Sequence, residues 1–484
     1  MRPHEEPVPG EVRTADQARR LLQRIASLPA EIGERELTFF DDAVGALLST
    51  DSESAWRATR AVAPEALPPV LARLPCEGYA WAHGMRLLAT VGTGESVRAW
   101  AELFVQSPER DPMDFHSAAA PFTDGDVTEN ADVLFPRLLD AVDRLDRRAA
   151  VVDIANRFLT HGILARHPLV ARLDVLEEMI AIAASTEEVD TSDAVTACYA
   201  LARIEDPAAI PILLRALDAD DMDVHLEAAF ALACHGDQRG VNALVQACRS
   251  HETLSRAQEY LQELELDRLI PDEARSPERQ AMAEFSSWLA HPNELGEPPD
   301  ELEVLDHRTL AWPPSGERRE FWLIRYTLYG AGEDCEAETD AGVVGSITFC
   351  LFGYKMAERP PEDAYAIHCV WEMEQEGLIT IDEPHRRVCP REWIARWPGS
   401  PLEGARLLQV ATIARELQYG ALEVALVSAD LNGERGWAVI EGAASDWYPR
   451  HEMPEGAPER TVLMLHIGRR LLGFNGRPDR AAHL

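Results

Sequence analysis

Lysine is nearly missing from this chain. Of 46 basic residues among 484, only Lys355 is a lysine, a bias that arginine-rich codon usage in a GC-rich genome produces. A phosphate-binding loop of the form G-x-x-x-x-G-K-[ST] is excluded, because no glycine is followed by lysine. Imine chemistry is restricted to Lys355, which sits in a turn-like Gly353-Tyr354-Lys355-Met356 stretch.

Long apolar runs are missing as well. No stretch of about 18 apolar residues occurs, so no transmembrane helix is expected. The opening Met1-Arg2-Pro3-His4-Glu5-Glu6-Pro7 carries no apolar segment of a secretory signal, and a cytoplasmic location is expected. Cysteine is sparse, with 8 residues and no C-x-x-C pair or zinc-ligand spacing. Cys198, Cys234 and Cys248 fall among Ala and Leu on expected helices, where a thiol behaves as a small apolar group. Reduced, buried thiols are expected, with no metal and no cofactor.

Positive charge is in deficit. Against the 46 basic residues stand 83 acidic ones, a formal charge of −37. Such a surface repels phosphate backbones and anionic membranes, so neither nucleic acid nor membrane is expected as a partner. The basic runs are short pairs such as Arg386-Arg387 and Arg469-Arg470. What the chain does have is apolar residue, 46% of it, enough for large cores. At roughly 100–200 residues per domain, its length predicts two to four domains.

An internal repeat is the clearest positive signal. In Asp206-Pro207-Ala208-Ala209-Ile210-Pro211-Ile212-Leu213-Leu214-Arg215-Ala216-Leu217, Ile210, Leu213, Leu214 and Leu217 fall at i, i+3, i+4 and i+7 of one helix. Pro211 fits only a first turn, which places the helix start at Ala208 or Ala209. An acidic turn, Asp218 to Asp223, leads to a second helix with Val224, Ala228, Ala231 and Leu232 on one stripe, closed by Gly236-Asp237. Weaker copies lie upstream. Met113-Asp114-Phe115-His116 with Ala119-Ala120 and Gly125-Asp126 echoes Met222-Asp223-Val224-His225 with Ala228-Ala229 and Gly236-Asp237, while Gly92 and Gly162 look like further unit ends.

On Ile210-Pro211, Asp223-Val224, Ala228-Ala229, Leu232 and Gly236-Asp237, this unit resembles the short HEAT repeat of the phycobilisome-lyase-like families. His225 stands where those repeats usually carry Arg. The resemblance implies an α-solenoid of stacked helix pairs, about six or seven of them over 36–268. It also brings to mind a chromophore-lyase activity, which a repeat alone does not establish. No His-Glu pair of the kind that holds iron in HEAT-repeat hydroxylases occurs in the repeats.

Beyond Leu269 the pattern changes. Pro271, Pro277, Pro292, Pro298 and Pro299 mark a linker with one short helix around Met282–Leu289. Strands are expected at 302–305, 321–329 and 343–352, the last two forming a hairpin across an acidic turn over 330–342, and later at 421–427, 436–440 and 462–467. Helices are expected at 364–376 and 402–420. The expected fold class is multidomain: an arm and first helix at 1–35, an all-α solenoid of HEAT-like helix pairs at 36–268, the linker at 269–300, and an α+β domain at 301–484.

The most site-like cluster is Asp446-Trp447-Tyr448-Pro449-Arg450-His451-Glu452, read as a loop, in which Trp447, Tyr448, Arg450 and His451 are the candidate ligand-binding residues. The plainer reading has the two aromatics anchor the loop while the charges face water. Tyr365, His368, Glu372 and Glu376 share one helix face, as a proton or metal site or, more simply, as a solvated stripe. His116 and His225 are expected to replace the repeat's arginine and bond to a neighbouring carboxylate. No catalytic set is legible: G-x-S-x-G is absent, Cys389 and His385 fall in an arginine-containing loop, and Gly330-Ala331-Gly332 lacks the rest of a dinucleotide fingerprint.

Together these features predict a scaffold or adaptor more than an enzyme. Its solenoid would bind a protein partner with basic surface, and its oligomeric state is left open. The alternative is a small-ligand or enzymatic C-terminal domain whose substrate the solenoid recruits.

Overall fold

The computed structural model describes residues 11–75, 79–125, 130–183, 191–329, 337–352, 355–381, 399–401, 406–411, 422–441, 444–453 and 458–474. They fall into two compact units divided near residue 245, the first also taking in Tyr260–Glu265 and the second Gln246–Glu259. Each is described by itself.

The first unit is helical. In chain order it contains α1 (Ala15–Ala26), α2 (Glu34–Leu48), α3 (Glu53–Ala66), α4 (Pro68–Leu71), α5 (Ala80–Val91), α6 (Gly94–Gln106), α7 (Pro112–Thr123), α8 (Ala131–Leu138), α9 (Arg148–Thr160), α10 (Leu173–Ala183), α11 (Ser192–Leu201), α12 (Ala209–Leu217) and α13 (Met222–Cys234). The helices α14 (Gln238–Ala247) and α15 (Leu254–Glu263) follow. Helices α2, α5, α7, α9, α11 and α13 pack each on the next as one layer, while in the other α1 packs on α3, α3 and α4 on α6, α6 on α8, and α10 on α12. That alternation is an α-solenoid, because each pair buries its apolar stripe only against its neighbours.

Local chemistry sets the breaks. Thr14 and Gln17 form a capping box at α1, and Ser52, Thr93, Asp111 and Asp221 cap later helices with their side chains. Gly92, Gly162 and Gly236 take left-handed φ values of 65°, 69° and 74° after α5, α9 and α13, as their place at the unit ends predicts. Helix α12 starts at Ala209, with Pro211 in its first turn. Aromatic rings run through the core from α5 to α9: Trp81, Phe115, Phe104, Trp100, Phe122, Phe158 and Phe135 touch in succession at centroid distances of 4.7–6.3 Å.

The second unit is α+β. Helix α16 (Pro277–Leu289) precedes β1 (Glu301–Ala311), β2 (Arg318–Leu328), β3 (Glu338–Val344) and β4 (Thr348–Cys350), which form an antiparallel sheet in that order. Helix α17 (Pro361–Gln375) follows, then β5 (Thr380–Ile381), β6 (Ser400–Pro401), β7 (Arg406–Ala411), β8 (Leu422–Leu431), β9 (Glu434–Glu441), β10 (Ala444–Pro449) and α18 (Pro458–Leu471). The second sheet runs β10-β9-β8-β7-β5, with β6 paired to β8.

Helix α16 covers one face of the first sheet, setting Phe285 and Leu289 against Ile324, Tyr326 and Val344. Helices α17 and α18 fill the space between its other face and the second sheet. They are antiparallel and joined by ion pairs at both ends, Asp363 with Arg469 and Glu374 with Arg460. Gly468 lets α18 approach the Ala366 carbonyl of α17 more closely than a Cβ would allow. Strand β2 is covered on both faces: Phe321 and Leu323 look toward α17, Ile324 and Tyr326 toward α16. An unbroken aromatic and branched run is what such a strand requires.

Four element expectations are corrected. Residues 462–467 lie in helix α18, where their apolar run is enclosed by α17 and β9 and so carries no helical period to read. Residues 406–411 of the expected helix 402–420 form strand β7, pairing with β8; 402–405 and 412–420 lie outside the described residues. The acidic connection expected at 330–342 is strand from Glu338 onward, and 330–336 lie outside the described residues. The hairpin itself forms, Trp322 opposite Val344, but its expected second strand over 343–352 ends at Val344 and folds back through 345–347 as β4, Thr348 opposite Val344. The described cysteines are free. Cys198, Cys248, Cys350 and Cys369 are buried, but Cys234, at the last position of α13, is exposed. Cys76, Cys335 and Cys389 lie outside the described residues.

Candidate functional site

Residues 446–449 belong to strand β10 instead of a loop, with Trp447 opposite Ala438 and Tyr448 opposite Trp437, and only Arg450–Glu452 form a turn. Strand alternation then separates the two aromatics. Tyr448 is buried in the core with Trp437, Val439 and Met453. Trp447 lies on the other face over Gly436, where a Cβ would come within 2.6 Å of its ring, and its Nε1 donates to Glu434 Oε2 at 3.4 Å. His451 meets the same carboxylate, Nδ1 to Oε1 at 3.2 Å, with its side chain 66% exposed. Arg450 is exposed. Asp446 pairs with His466 of α18 at 3.2 Å. Trp447 and His451 are therefore brought together on Glu434, a residue sequence reasoning missed because it lies on the neighbouring strand, while Tyr448 points away.

The stripe on α17 is not solvated. Tyr365, His368 and Glu372 are buried at 1–2% exposure, and only Glu376 is exposed. The first sheet covers them, a fact set by topology and invisible in the helix's own period. His368 Nε2 donates to the Ile347 carbonyl at 3.0 Å, so its bare Nδ1 faces Glu372 Oε2 at 3.8 Å. Burial pushes the His368 pKa down to about 4 and raises that of Glu372. Arg319 answers the carboxylate, donating to Glu372 Oε1 at 2.9 Å and to Ser346 Oγ at 2.8 Å while lying 4.7 Å from the Trp312 ring centre. The group is a half-buried ion pair, with Glu372 buried and Arg319 partly open to solvent, that ties α17 to the first sheet. Among the described residues no three His, Cys, Asp or Glu side chains are placed to hold a metal ion.

In the solenoid His116 faces Asp153 at 3.5 Å, and Asp153 also accepts from Thr196 Oγ1 at 2.9 Å, a line of side chains across α7, α9 and α11. His225 departs from the expected carboxylate partner: its Nδ1 bonds the Leu217 carbonyl at 2.7 Å and closes the acidic turn. Three arginines at equal intervals were missed. Arg73 donates to the Pro29 carbonyl at 2.8 Å and Arg110 to Pro75 at 2.8 Å, while Arg147 donates to Ser107 and Pro108 at 3.1 Å. Each clamps the turn between the two helices of the preceding unit, and the equal spacing of the three arginines was the available signal.

Residues 195–219 match the PBS lyase HEAT-like repeat, covering most of α11 and all of α12. The match overlaps the front of the unit over 206–237 and begins one helix earlier. No curated protein matches the chain. The stacked helix pairs, one of which carries this match, make the fold class an all-α solenoid of HEAT-like helix pairs followed by an α+β unit. No described helix is long and apolar enough to cross a membrane.

Proposed function

We propose that the chain is a cytoplasmic scaffold that binds a protein partner through its solenoid, taken as residues 36–268, with 301–484 as a second module. The observation that carries this reading is the HEAT-like stack within a chain of net charge −37. Stacked pairs expose long, continuous surfaces, and complementary fields raise encounter rate and discrimination, which favours a partner with basic surface. Nucleic acid and anionic membrane are disfavoured by the same charge.

Affinity capture with the whole chain at low and high salt tests it. A protein retained at low salt should elute as the Debye length falls from about 10 Å at 0.1 M to about 3 Å at 1 M. Capture that ignores salt removes the electrostatic half of the proposal, and no capture at all removes the scaffold.

A second reading makes the α+β unit a small-ligand module at Trp447, Tyr448, Arg450 and His451, supported by the convergence of Trp447 and His451 on Glu434. A small molecule co-purifying with the full chain and lost in an Arg450→Ala/His451→Ala variant would favour it.

A further inference from the structure

Large apolar side chains stand exposed along one edge of the solenoid. Tyr79 is 67% exposed, Met113 63%, Leu145 60% and Met222 41%. Tyr79 immediately precedes α5, Met113 is the second residue of α7, Leu145 lies just ahead of α9, and Met222 opens α13. These helices belong to the one layer in which alternate helices stack and run the same way, so their N-termini emerge together.

Direct contacts tie these ends to one another. Arg110, beside Met113, donates to the carbonyls of Leu74 at 3.4 Å and Pro75 at 2.8 Å ahead of Tyr79. Its backbone N–H donates to Asp146, next to Leu145, at 3.3 Å. Further along, Thr191 at the head of α11 donates to Asp221 at the head of α13 at 3.0 Å.

The charge on this edge has one dominant sign. Glu109, Asp111, Asp143, Asp218, Asp220 and Asp223 are exposed. Asp111 and Asp221 also cap α7 and α13, but Glu109 and Asp220 lie outside any helix. Two cations of the edge face inward, Arg110 and Arg147, buried over Trp81 and Phe115. Arg144 donates to the Ser107 carbonyl, and Arg172 is held between Asp143 and Asp174. Apolar knobs among exposed acids call for an occupant that is apolar on one stripe and basic beside it.

Spacing narrows the occupant. Packed helices lie about 8–10 Å apart, so Tyr79, Met113 and Leu145 recur at roughly that interval. An α-helix advances about 10.5 Å in seven residues, so a heptad-spaced stripe meets successive knobs. A second copy of this chain is a poor occupant, since it also carries −37. We propose that this edge docks a basic amphipathic helix of a protein partner, with Tyr79, Met113, Leu145 and Met222 as the apolar contacts. The proposal rests on the scaffold reading and adds to it the surface and the chemistry of the partner.

The test uses the full chain and a synthetic helical peptide of leucine, arginine and alanine with leucines in a heptad stripe. Its control has the same composition with the leucines scrambled. Titration calorimetry should find the striped peptide at least tenfold tighter than the scrambled one. Met113→Ser/Leu145→Ser should weaken the striped peptide at least tenfold with the melting temperature unchanged. Ile163→Ser, at an exposed position after α9, should leave binding as it was. Equal binding of the two peptides, no binding of either, or an unchanged affinity in the double variant overturns the proposal. A salt-sensitive protein captured by the full chain and equally by the double variant would leave the scaffold standing and remove only this edge.

Discussion

The Arg147 guanidinium lies over the Phe115 ring, 4.0 Å from its centre, with its nitrogens on carbonyls of the preceding turn. One unit earlier Arg110 repeats the arrangement over Trp81 at 4.5 Å. A charge with no exposed side-chain surface is tolerable here because carbonyls and Asp146 take its five N–H groups and an aromatic face takes its plane. Arginine is required, since lysine has neither the fork nor the plane.

Arg147→Ala should therefore destabilise the solenoid by about 3 kcal/mol, leaving buried carbonyls without donors. Arg147→Lys should recover less than half of that. Urea denaturation followed by the far-ultraviolet helical signal reads both. A loss below about 1 kcal/mol for Arg147→Ala would show that the clamp is incidental.

Two glycine substitutions should have opposite signs. Gly45 sits inside α2 with open space where a Cβ would be, so Gly45→Ala should stabilise by about 0.5–1 kcal/mol through helix propensity. Gly468 abuts the Ala366 backbone, so Gly468→Ala must push α18 off α17 and should cost about 1–3 kcal/mol. Thermal melts of the two variants decide it.

The buried His368 makes the second unit sensitive to acid. Its folded pKa is lowered to about 4, below the ordinary 6.5, so the unfolded chain takes up the proton first as pH falls. The contribution is complete above about pH 6.5 and is lost on the way down to about 4. Between pH 7 and 5.5 this amounts to about 1 kcal/mol. His368→Gln, which retains a donor for Ile347, should remove that share from the unit's denaturation profile. Glu372, raised by burial, acts in the opposite sense, losing its contribution as pH rises from the ordinary carboxylate value. An identical pH profile in the variant would show that folding leaves the His368 pKa unshifted.

Substitutions along β10 should separate packing from any binding role. Tyr448→Ala empties a core position and should cost about 3–5 kcal/mol. Arg450→Ala/His451→Ala, at exposed positions, should leave the melting temperature within about a degree. A large drop in the double variant would mean that the His451 contact with Glu434 holds the turn in place.

Much of the fold is legible in particular residues. Pro211 and Gly236 bracket a helix pair because a ring without an N–H and a left-handed backbone each tolerate few places. The aromatic run of β2 is legible as a strand for a similarly local reason. The apolar run at 462–467 misleads, because a helix enclosed on several sides loses its polar stripe and then resembles a buried strand.

By itself the sequence determines the two-part architecture, the repeat, the acidic charge and the lack of lysine chemistry, all of which follow from composition and short-range period. Only the tertiary structure decides that Tyr365, His368 and Glu372 are covered by a sheet, that Trp447 and His451 meet on Glu434 while Tyr448 turns inward, and that four apolar residues from separate repeats share one edge. The reason is physical. Periodicity says which side chains share a face of one element, but what covers that face depends on elements distant along the chain.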